Sequence, residues 1–300
     1  MLYARASPGV VAREGRSNRM TNADWQQWVG RTESHADEVT RVPVQALAAT
    51  LDRDDPLPIA GDPLPPLWHW LYFLPMCRQS DLGPDGHPQR GGFLPPVPLP
   101  RRMWAGGRLT FVAPLRIGDA IERTSTIVDV TAKEGRSGPL VFVVVRHAIG
   151  GPRGPAIVEE HDIVYRAMPA AAEHAVAPPP APADATWSRT VRPDDVLLFR
   201  YSALTFNGHR IHYDRRYVTQ VEGYPGLIVH GPLVATLLLD LVRRQIPDAV
   251  VTRFSFRAVS PLFDVAHFTV NGRRADDGSL ALWAANADGG LAMDATATLA

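Results

Sequence analysis

The chain has 300 residues, and its 31 Lys and Arg are balanced by 31 Asp and Glu, so the formal net charge at pH 7 is +0. A chain of this length buries enough surface to fold without disulfides or metal ions, as one large domain or as two. The balance of positive and negative charges argues against binding to nucleic acids or anionic membranes. The single cysteine, Cys77, excludes internal disulfides and Cys-rich zinc sites.

The N-terminal segment, residues 1–19, is expected to be a disordered extension. It carries four arginines and one acid but lacks the apolar stretch of a secretory signal. It is either a mitochondrial-type transit segment or a stretch upstream of a working start at Met20. We favour the second, because Thr21 or Asn22 can cap a helix that begins there. No run of about 18 apolar residues occurs, so no membrane-spanning helix is expected. We predict a cytoplasmic protein, or a mitochondrial one if residues 1–19 are a transit segment.

Two proline-rich features follow in the first half of the chain. Residues 67–76 are rich in bulky apolar side chains and predict a helix, although Pro65, Pro66 and Pro75 bracket it. Residues 84–100 contain six prolines around a Gly-Gly-Phe-Leu sequence, which predicts a stiff loop. This loop either folds over a cleft or packs on the surface of its own half, and both interpretations stay open.

An Ala- and Pro-rich segment over residues 168–186 divides the chain. Such a composition forms an extended connector, because it supports neither strand ladders nor a core. We therefore predict an N-terminal half over residues 20–167 and a C-terminal half over residues 187–300.

The sequences of the two halves indicate that they are distant copies of one unit. An alternating apolar segment precedes a proline in each half. Residues 109–113 precede Pro114 and residues 254–258 precede Pro261, so the two prolines are 147 residues apart (261 − 114). Alternating apolar and polar residues between Gly, Asp and Pro turns then predict an antiparallel meander in each half. The predicted strands cover residues 121–130, 140–148, 157–166, 266–272, 280–287 and 291–299.

A long buried helix is predicted over residues 231–246. Its apolar side chains fill most of the circumference, and Pro232 lies where a first-turn proline is tolerated. A buried helix followed by an antiparallel meander implies an α+β fold in which a curved sheet wraps the helix. The segment 67–76 would be its counterpart in the first half.

The densest polar cluster extends from Tyr201 to Asp214, shortly before this helix. The helix N-terminus presents unpaired N–H groups and a partial positive charge, and Gly231 leaves its N–H unobstructed for an oxyanion. His212 lies nearby in sequence and has the residue type suited to proton transfer near neutral pH. An oxyanion donor and a proton-transfer group together indicate chemistry alpha to a carbonyl.

These residues resemble a known motif. Asn207 and Ile211-His212, followed by Ile228-Val229-His230-Gly231, are similar to the hydratase-2 motif of the MaoC-like enoyl-CoA hydratases. The first half, with Gly91-Gly92-Phe93-Leu94-Pro95-Pro96 and Arg101-Arg102-Met103-Trp104, resembles the partner domain of the HTD2-like branch. That branch contains mesaconyl-CoA and itaconyl-CoA hydratases and 3-hydroxyacyl-thioester dehydratases. The resemblance implies a double hot dog, with a long helix in each half wrapped by an antiparallel sheet and one active site between the halves.

Carried over by position, the resemblance makes His212 the catalytic histidine and Gly231 the oxyanion donor. The catalytic Asp of the family falls on Asn207, whose amide cannot exchange protons at working pH, so we expect Asn207 to hold the water by hydrogen bonds. Substrate contacts are expected from the following five residues: His209, Tyr201, His230, Arg101 and Arg102. The two arginines would pair with CoA phosphates, and a solvated loop face is their alternative. For His212 and His209 a purely structural role is the alternative.

The resulting prediction is a hydro-lyase that adds or removes water at the double bond of an enoyl-CoA, of the mesaconyl-CoA or itaconyl-CoA type or with a longer acyl chain. A hot-dog acyl-CoA thioesterase and a non-catalytic acyl-CoA binding module are the alternatives, the latter because of Asn207. No cofactor is expected, since no phosphate-cradling loop or dinucleotide fingerprint occurs. No metal is expected either, since His209 and His212 lack a fixed third ligand. Exposed sheet edges predict a homodimer.

Overall fold

A computed structural model of the protein describes residues 22–135, 138–167 and 177–300. The expected N-terminal extension, residues 1–19, and residues 168–176 of the expected connector lie outside the described residues. Within these ranges, no helix is long and apolar enough to cross a membrane.

Among the described residues, ten antiparallel strands form one continuous sheet. The first half contributes β1 (Thr32–Glu38), β2 (Arg101–Phe111), β3 (Ala120–Gly135), β4 (Gly138–Gly151) and β5 (Gly154–Arg166). The second half contributes β6 (Trp187–Val191), β7 (Val251–Ala258), β8 (Phe268–Arg274), β9 (Leu280–Asn286) and β10 (Leu291–Leu299). The order across the sheet is β1-β3-β4-β5-β2-β7-β10-β9-β8-β6, so the strands of each half are neighbours. All six strands predicted from the alternating pattern are confirmed.

The two halves of the sheet join where β2 pairs with β7. Leu109 lies directly opposite Phe254 in this pair, and these are the residues that begin the repeated sequence in each half. Corresponding positions of the two copies therefore meet at the centre of the sheet, which is the arrangement that a two-fold relation between the copies produces.

The predicted long helix is confirmed as α5 (Gly231–Gln245), in which all residues from Leu233 to Val242 are buried. One of them is charged. Asp240 is 2% exposed, and its carboxylate pairs with Arg53 from the first half at 2.6 Å, Arg189 at 2.8 Å and Arg244 at 2.7 Å. Because a buried charge is tolerated only when it is paired, this cluster fixes α5 against both halves of the chain.

The helix predicted over residues 67–76 is wrong, because the structure has only a short 3-10 turn there, Trp68–Leu71. The flanking prolines restrict the backbone and remove N–H donors, and Leu67 and Phe73 take positive φ angles of 69° and 54°, which interrupt a right-handed helix. The first half instead carries α2 (Arg41–Thr50), which buries Val44 and Leu47. The first-half sheet therefore lacks a helix as long as α5.

The remaining helices are α1 (Asn22–Gln26), α3 (Asp195–Leu204) and α4 (Arg215–Gln220). Helix α3 is capped by Asp194, whose side chain accepts a hydrogen bond from the Leu197 N–H. Two residues after its end, Phe206 is left-handed, with φ of 48°. This turn brings the polar segment after α3 back towards the start of α5.

Candidate active site

A cavity of about 2180 Å³ receives side chains from both halves of the chain. The first half lines it with Trp70, His87 and Trp104, and the second half lines it with His212 and Gly231. The cavity therefore lies between the two halves, where the resemblance implies one active site.

His212 lies at the end of a 3-10 turn, Arg210–His212, and its side chain is buried. Its Nδ1 is 2.7 Å from the carbonyl oxygen of Ile228. Because a carbonyl can only accept, Nδ1 carries the hydrogen and Nε2 presents a lone pair. Burial lowers the pKa of His212 to about 4, so the ring is neutral at pH 7 and can act as a base.

His230 holds the His212 ring against the start of α5. The two rings stack with centroids 3.7 Å apart and planes 19° apart. His230 Nε2 lies 2.8 Å from Ser202 Oγ, and burial holds the pKa of His230 well below its ordinary value. Tyr201 packs against His230 and lines the cavity, but burial raises its pKa and its hydroxyl bonds Thr236.

Gly231 begins α5 directly after His230. Its N–H lies in the first helical turn, where no intrahelical acceptor exists, and no acceptor for it occurs within the described ranges. A Cβ at Gly231 would meet only the Trp104 carbonyl oxygen, at 4.0 Å. The N–H therefore has no acceptor among the described residues, no side chain of its own beside it, and the positive end of the helix behind it, which suits a developing oxyanion.

Asn207 lines the same cavity, but its side chain is already engaged in a hydrogen bond within the protein. Its Oδ1 accepts a hydrogen bond from the His209 N–H at 3.0 Å, and its own N–H donates to the Ser202 carbonyl at 2.8 Å. Asn207 still offers its amide NH₂ as a donor and the second lone pair of Oδ1 as an acceptor. The hydrogen bond to the His209 N–H therefore reduces the capacity of Asn207 to hold a water but does not remove it.

The proline-rich loop of the first half reaches the second half at this point. The Arg210 N–H donates to the Asp85 carbonyl and the Arg210 Nη1 donates to the Pro84 carbonyl, both at 2.9 Å. His87 Nδ1 lies 3.0 Å from Asp85 Oδ2. The loop thus folds over the cleft, the first of the two interpretations made from its sequence.

His209 stands between this loop and His212. Its ring centroid is 3.9 Å from that of His87 and 5.5 Å from that of His212. Burial lowers the pKa of His209 to about 2. Burial also lowers the pKa of His87, with the Asp85 carboxylate opposing it. Sequence reasoning missed Asp85 and His87, although a polar Asp-Gly-His sequence inside an otherwise apolar loop was a usable signal.

The two arginines expected at CoA phosphates have different surroundings. Arg101 Nη2 donates to the Glu222 carbonyl at 2.7 Å, its Nε lies 3.2 Å from the Glu222 carboxylate, and its guanidinium covers the Tyr224 ring. These contacts occupy Arg101 within the fold, so its geometry does not support a phosphate contact. Arg102 bonds Tyr165 and has no carboxylate partner within the described ranges. Its charge acts on His87 and His209.

A second polar cluster, also missed from the sequence, lies in the first-half wall of the cavity. Glu159 is buried and accepts hydrogen bonds from the Trp70 indole and the His69 ring, both at 3.1 Å. Burial alone would raise the pKa of Glu159, but the neighbouring histidines His161 and His69 hold it well below its ordinary value. Glu159 is therefore an ionised group in the cavity wall.

Two groups among the described residues offer three ligand atoms close enough for a metal ion, within 4.8 Å of one another. They are Asp85, His87 and His209 beside His212, and His147, Glu159 and His161 in the first-half wall. In each group two of the members are already within hydrogen-bond distance of each other, which accounts for their proximity without an ion.

A ten-stranded antiparallel sheet that wraps one long buried helix, among the described residues, defines a double hot-dog fold. The family model for hydroxyacyl-thioester dehydratase type 2 matches residues 67–264. A mesaconyl-C(4)-CoA hydratase of Chloroflexus aurantiacus is 52% identical over 93% of this chain and 99% of its own length. The mitochondrial hydroxyacyl-thioester dehydratase type 2 of Schizosaccharomyces pombe is 29% identical over 76% of this chain and 85% of its own length.

Solved structures agree on the fold. A Mycobacterium tuberculosis protein described as a double hot dog superposes with a TM-score of 0.58 at 14% identity, covering 90% of this chain and 96% of its own. The chain belongs to the hydroxyacyl-thioester dehydratase type 2 family. It is accordingly a hydro-lyase of the MaoC-like class, and the thioesterase and non-catalytic alternatives are set aside.

Proposed function

We propose that this enzyme adds water reversibly to the double bond of mesaconyl-C(4)-CoA or a closely related thioester of an unsaturated dicarboxylic acid. The observation that carries the proposal is that His212, whose Nδ1 is bonded to the Ile228 carbonyl, and Gly231 line the same cavity. The relative from Chloroflexus aurantiacus, named for that substrate and similar over nearly its whole length, supports the acyl group.

In the proposed reaction the thioester carbonyl accepts a hydrogen bond from the Gly231 N–H. The carbonyl then draws electron density from the double bond, which makes the beta carbon electrophilic. His212 Nε2 takes one proton from water as the water oxygen bonds the beta carbon, and the π electrons move to the thioester oxygen. The enolate collapses as the alpha carbon takes that proton from His212. One water is added, and the enzyme returns to its starting protonation.

The free carboxylate of a dicarboxylyl substrate needs a cationic partner inside the cavity. Arg102 lines the cavity, bonds Tyr165, and has no carboxylate partner within the described ranges. Guanidinium groups bind carboxylates in a bidentate geometry. We therefore assign Arg102 to the free carboxylate of the substrate rather than to a CoA phosphate.

The test is a panel of unsaturated acyl-CoA thioesters that includes mesaconyl-C4, itaconyl, crotonyl and long-chain enoyl groups. The wild-type enzyme should add the mass of one water to the mesaconyl thioester without releasing free CoA, which a thiol reagent would detect. His212→Ala should abolish this conversion. Free CoA release in place of hydration, or unchanged turnover in His212→Ala, would reject the proposed function.

We further propose that the enzyme acts as a cytoplasmic homodimer. The free thiol of Cys77 suits a reducing compartment, and the bacterial relative supports the cytoplasm. The sheet ends in two edge strands, β1 and β6, and such edges favour pairing between chains. Light scattering on the purified protein measures the oligomeric state directly, and a monomer at micromolar concentration would contradict the dimer.

A further inference from the structure

The water that attacks the beta carbon has two protons, and the cavity must hold both if a lone pair is to point at carbon. His212 Nε2 accepts one of them. The family motif would supply a carboxylate as the second acceptor, but this chain has Asn207 there, and one lone pair of its Oδ1 already accepts the His209 N–H. The lone pair that remains belongs to a neutral amide, which is a weaker acceptor than a carboxylate. The motif itself therefore offers only a weak second acceptor.

The loop of the first half brings another acceptor to this position. Gly86 packs on Gly208, the neighbour of Asn207, so closely that a Cβ on Gly86 would lie 1.9 Å from the Gly208 carbonyl oxygen. Gly86 also takes a φ of 87°, which favours glycine. Together with the Arg210 N–H, which donates to the Asp85 carbonyl, this contact fixes Asp85 and His87 beside the motif.

Asp85 then orients the His87 ring. One carboxylate oxygen accepts from the His87 N–H at 3.1 Å, and the other lies 3.0 Å from His87 Nδ1. An ionised carboxylate only accepts, so Nδ1 carries the hydrogen and Nε2 presents a lone pair. This is the relation in which an acid fixes the tautomer of a catalytic histidine. Both His87 and His212 line the cavity, and the His209 ring is close to both of their rings, with centroids 3.9 Å and 5.5 Å away.

We propose that His87, oriented by Asp85, is the second acceptor for the reacting water and takes the place of the acid that the motif has lost. This rests on the proposed function. In hydration one water proton moves to His212 Nε2 as the carbon–oxygen bond forms. The other proton stays on oxygen, donates to His87 Nε2, and becomes the hydroxyl hydrogen of the product. In dehydration the same contact holds the hydroxyl that leaves.

The first experiment compares His87→Ala with His267→Ala, the same change at an exposed histidine. We expect kcat of His87→Ala to fall by about 100-fold, the lower end for a positioned proton-handling group, while KM changes little. Imidazole added to the medium should restore part of that kcat, because it can enter the space left by the ring. His267→Ala should keep wild-type kcat and show no response to imidazole.

The second experiment separates orientation from packing at Asp85. In Asp85→Asn the amide oxygen still accepts from Nδ1, so kcat should fall less than in Asp85→Ala, which leaves the ring unoriented. Equal kcat in the two variants would contradict the proposal.

Three further results would overturn it. The first is wild-type kcat in His87→Ala. The second is a fall in kcat of that variant that comes with an equally large rise in KM for the thioester and is not rescued by imidazole. That result would make His87 a structural residue. The third is loss of wild-type activity on chelation with recovery by Zn²⁺ alone, which would make Asp85, His87 and His209 metal ligands. If the wild type hydrates none of the panel, the proposed function fails as well, whereas hydration by the wild type with an unaffected His87→Ala rejects only the role of His87.

Discussion

His212 and His230 stack with their ring centroids 3.7 Å apart, and His230 is the residue immediately before α5. The base is therefore positioned by the same backbone turn that presents the oxyanion donor. Any change that moves the start of α5 should move both groups together, so the two can be separated only by removing one without disturbing the helix.

Gly231 permits that separation. Gly231→Pro removes the N–H, and proline is tolerated at the first helical position, so the helix should persist. We expect kcat to fall by about 10²–10³-fold, as for loss of one oxyanion donor. Gly231→Ala is the matched control, because it keeps the N–H and its Cβ meets only one atom, at 4.0 Å. Steady-state kinetics of both variants measure the effect, and equal activity in the two would exclude an oxyanion role for this N–H.

The pH profile should report the pKa of His212. Burial lowers it to about 4, so the neutral, basic form persists well below the ordinary value for histidine. We expect kcat/KM to stay level through neutral pH and to fall as the pH drops through about 4. The unfolded chain binds this proton at a higher pH than the folded one, so the same group makes folding less favourable as the pH falls below about 6.5. A loss of kcat/KM centred near pH 6.5, followed together with circular dichroism to monitor folding, would contradict this assignment.

Arg102 should determine selectivity for the acyl group. We expect Arg102→Gln to lower kcat/KM for mesaconyl-C4-CoA by about 10–100-fold, equivalent to a charged hydrogen bond of roughly 1.5–3 kcal/mol. Crotonyl-CoA, which has no free carboxylate, should be converted as before. Arg101→Gln serves as the comparison, since Arg101 is bound to Glu222 and its loss should not discriminate between the two thioesters. Equal losses on both substrates in Arg102→Gln would argue for a contact to CoA instead.

Asp240 should be a stability determinant rather than a site residue. Asp240→Ala leaves three arginines without their buried partner, and we expect the free energy of unfolding to fall by about 3–5 kcal/mol. Asp294→Ala is the control. Its pair with Arg257 is exposed and 3.8 Å long, so the change should cost about 1 kcal/mol or less. Urea denaturation of both variants gives the comparison, and equal stability of the two would show that the Asp240 cluster contributes nothing beyond a surface pair.

Local patterns in the sequence predicted the parts of the fold that depend on local chemistry. Alternation predicted the meander strands, and the apolar circumference of residues 231–246 predicted α5. The helix over residues 67–76 was wrong because composition indicated burial, whereas the prolines and the left-handed Leu67 and Phe73 determined the backbone.

The candidate site was predictable only in part. His212 and Gly231 belong to two short segments of one motif in the same half of the chain and could be identified together. Asp85 and His87 come from the other half of the chain, and their position depends on the contact between Gly86 and Gly208. That contact is a property of packing, so no spacing in the sequence records it.

The short turn at Trp68–Leu71, in place of a second long helix, has a consequence for how a duplicated protein acquires a new role. The second half carries α5 together with His212 and Gly231, whereas the first half has the shorter α2 and this short turn. First-half side chains such as Trp70 and Trp104 line the cavity, so substitutions there can change its volume and polarity without altering His212 or Gly231. Differences in acyl-group preference among such enzymes should therefore accumulate at first-half positions that line the cavity and contact no reacting proton.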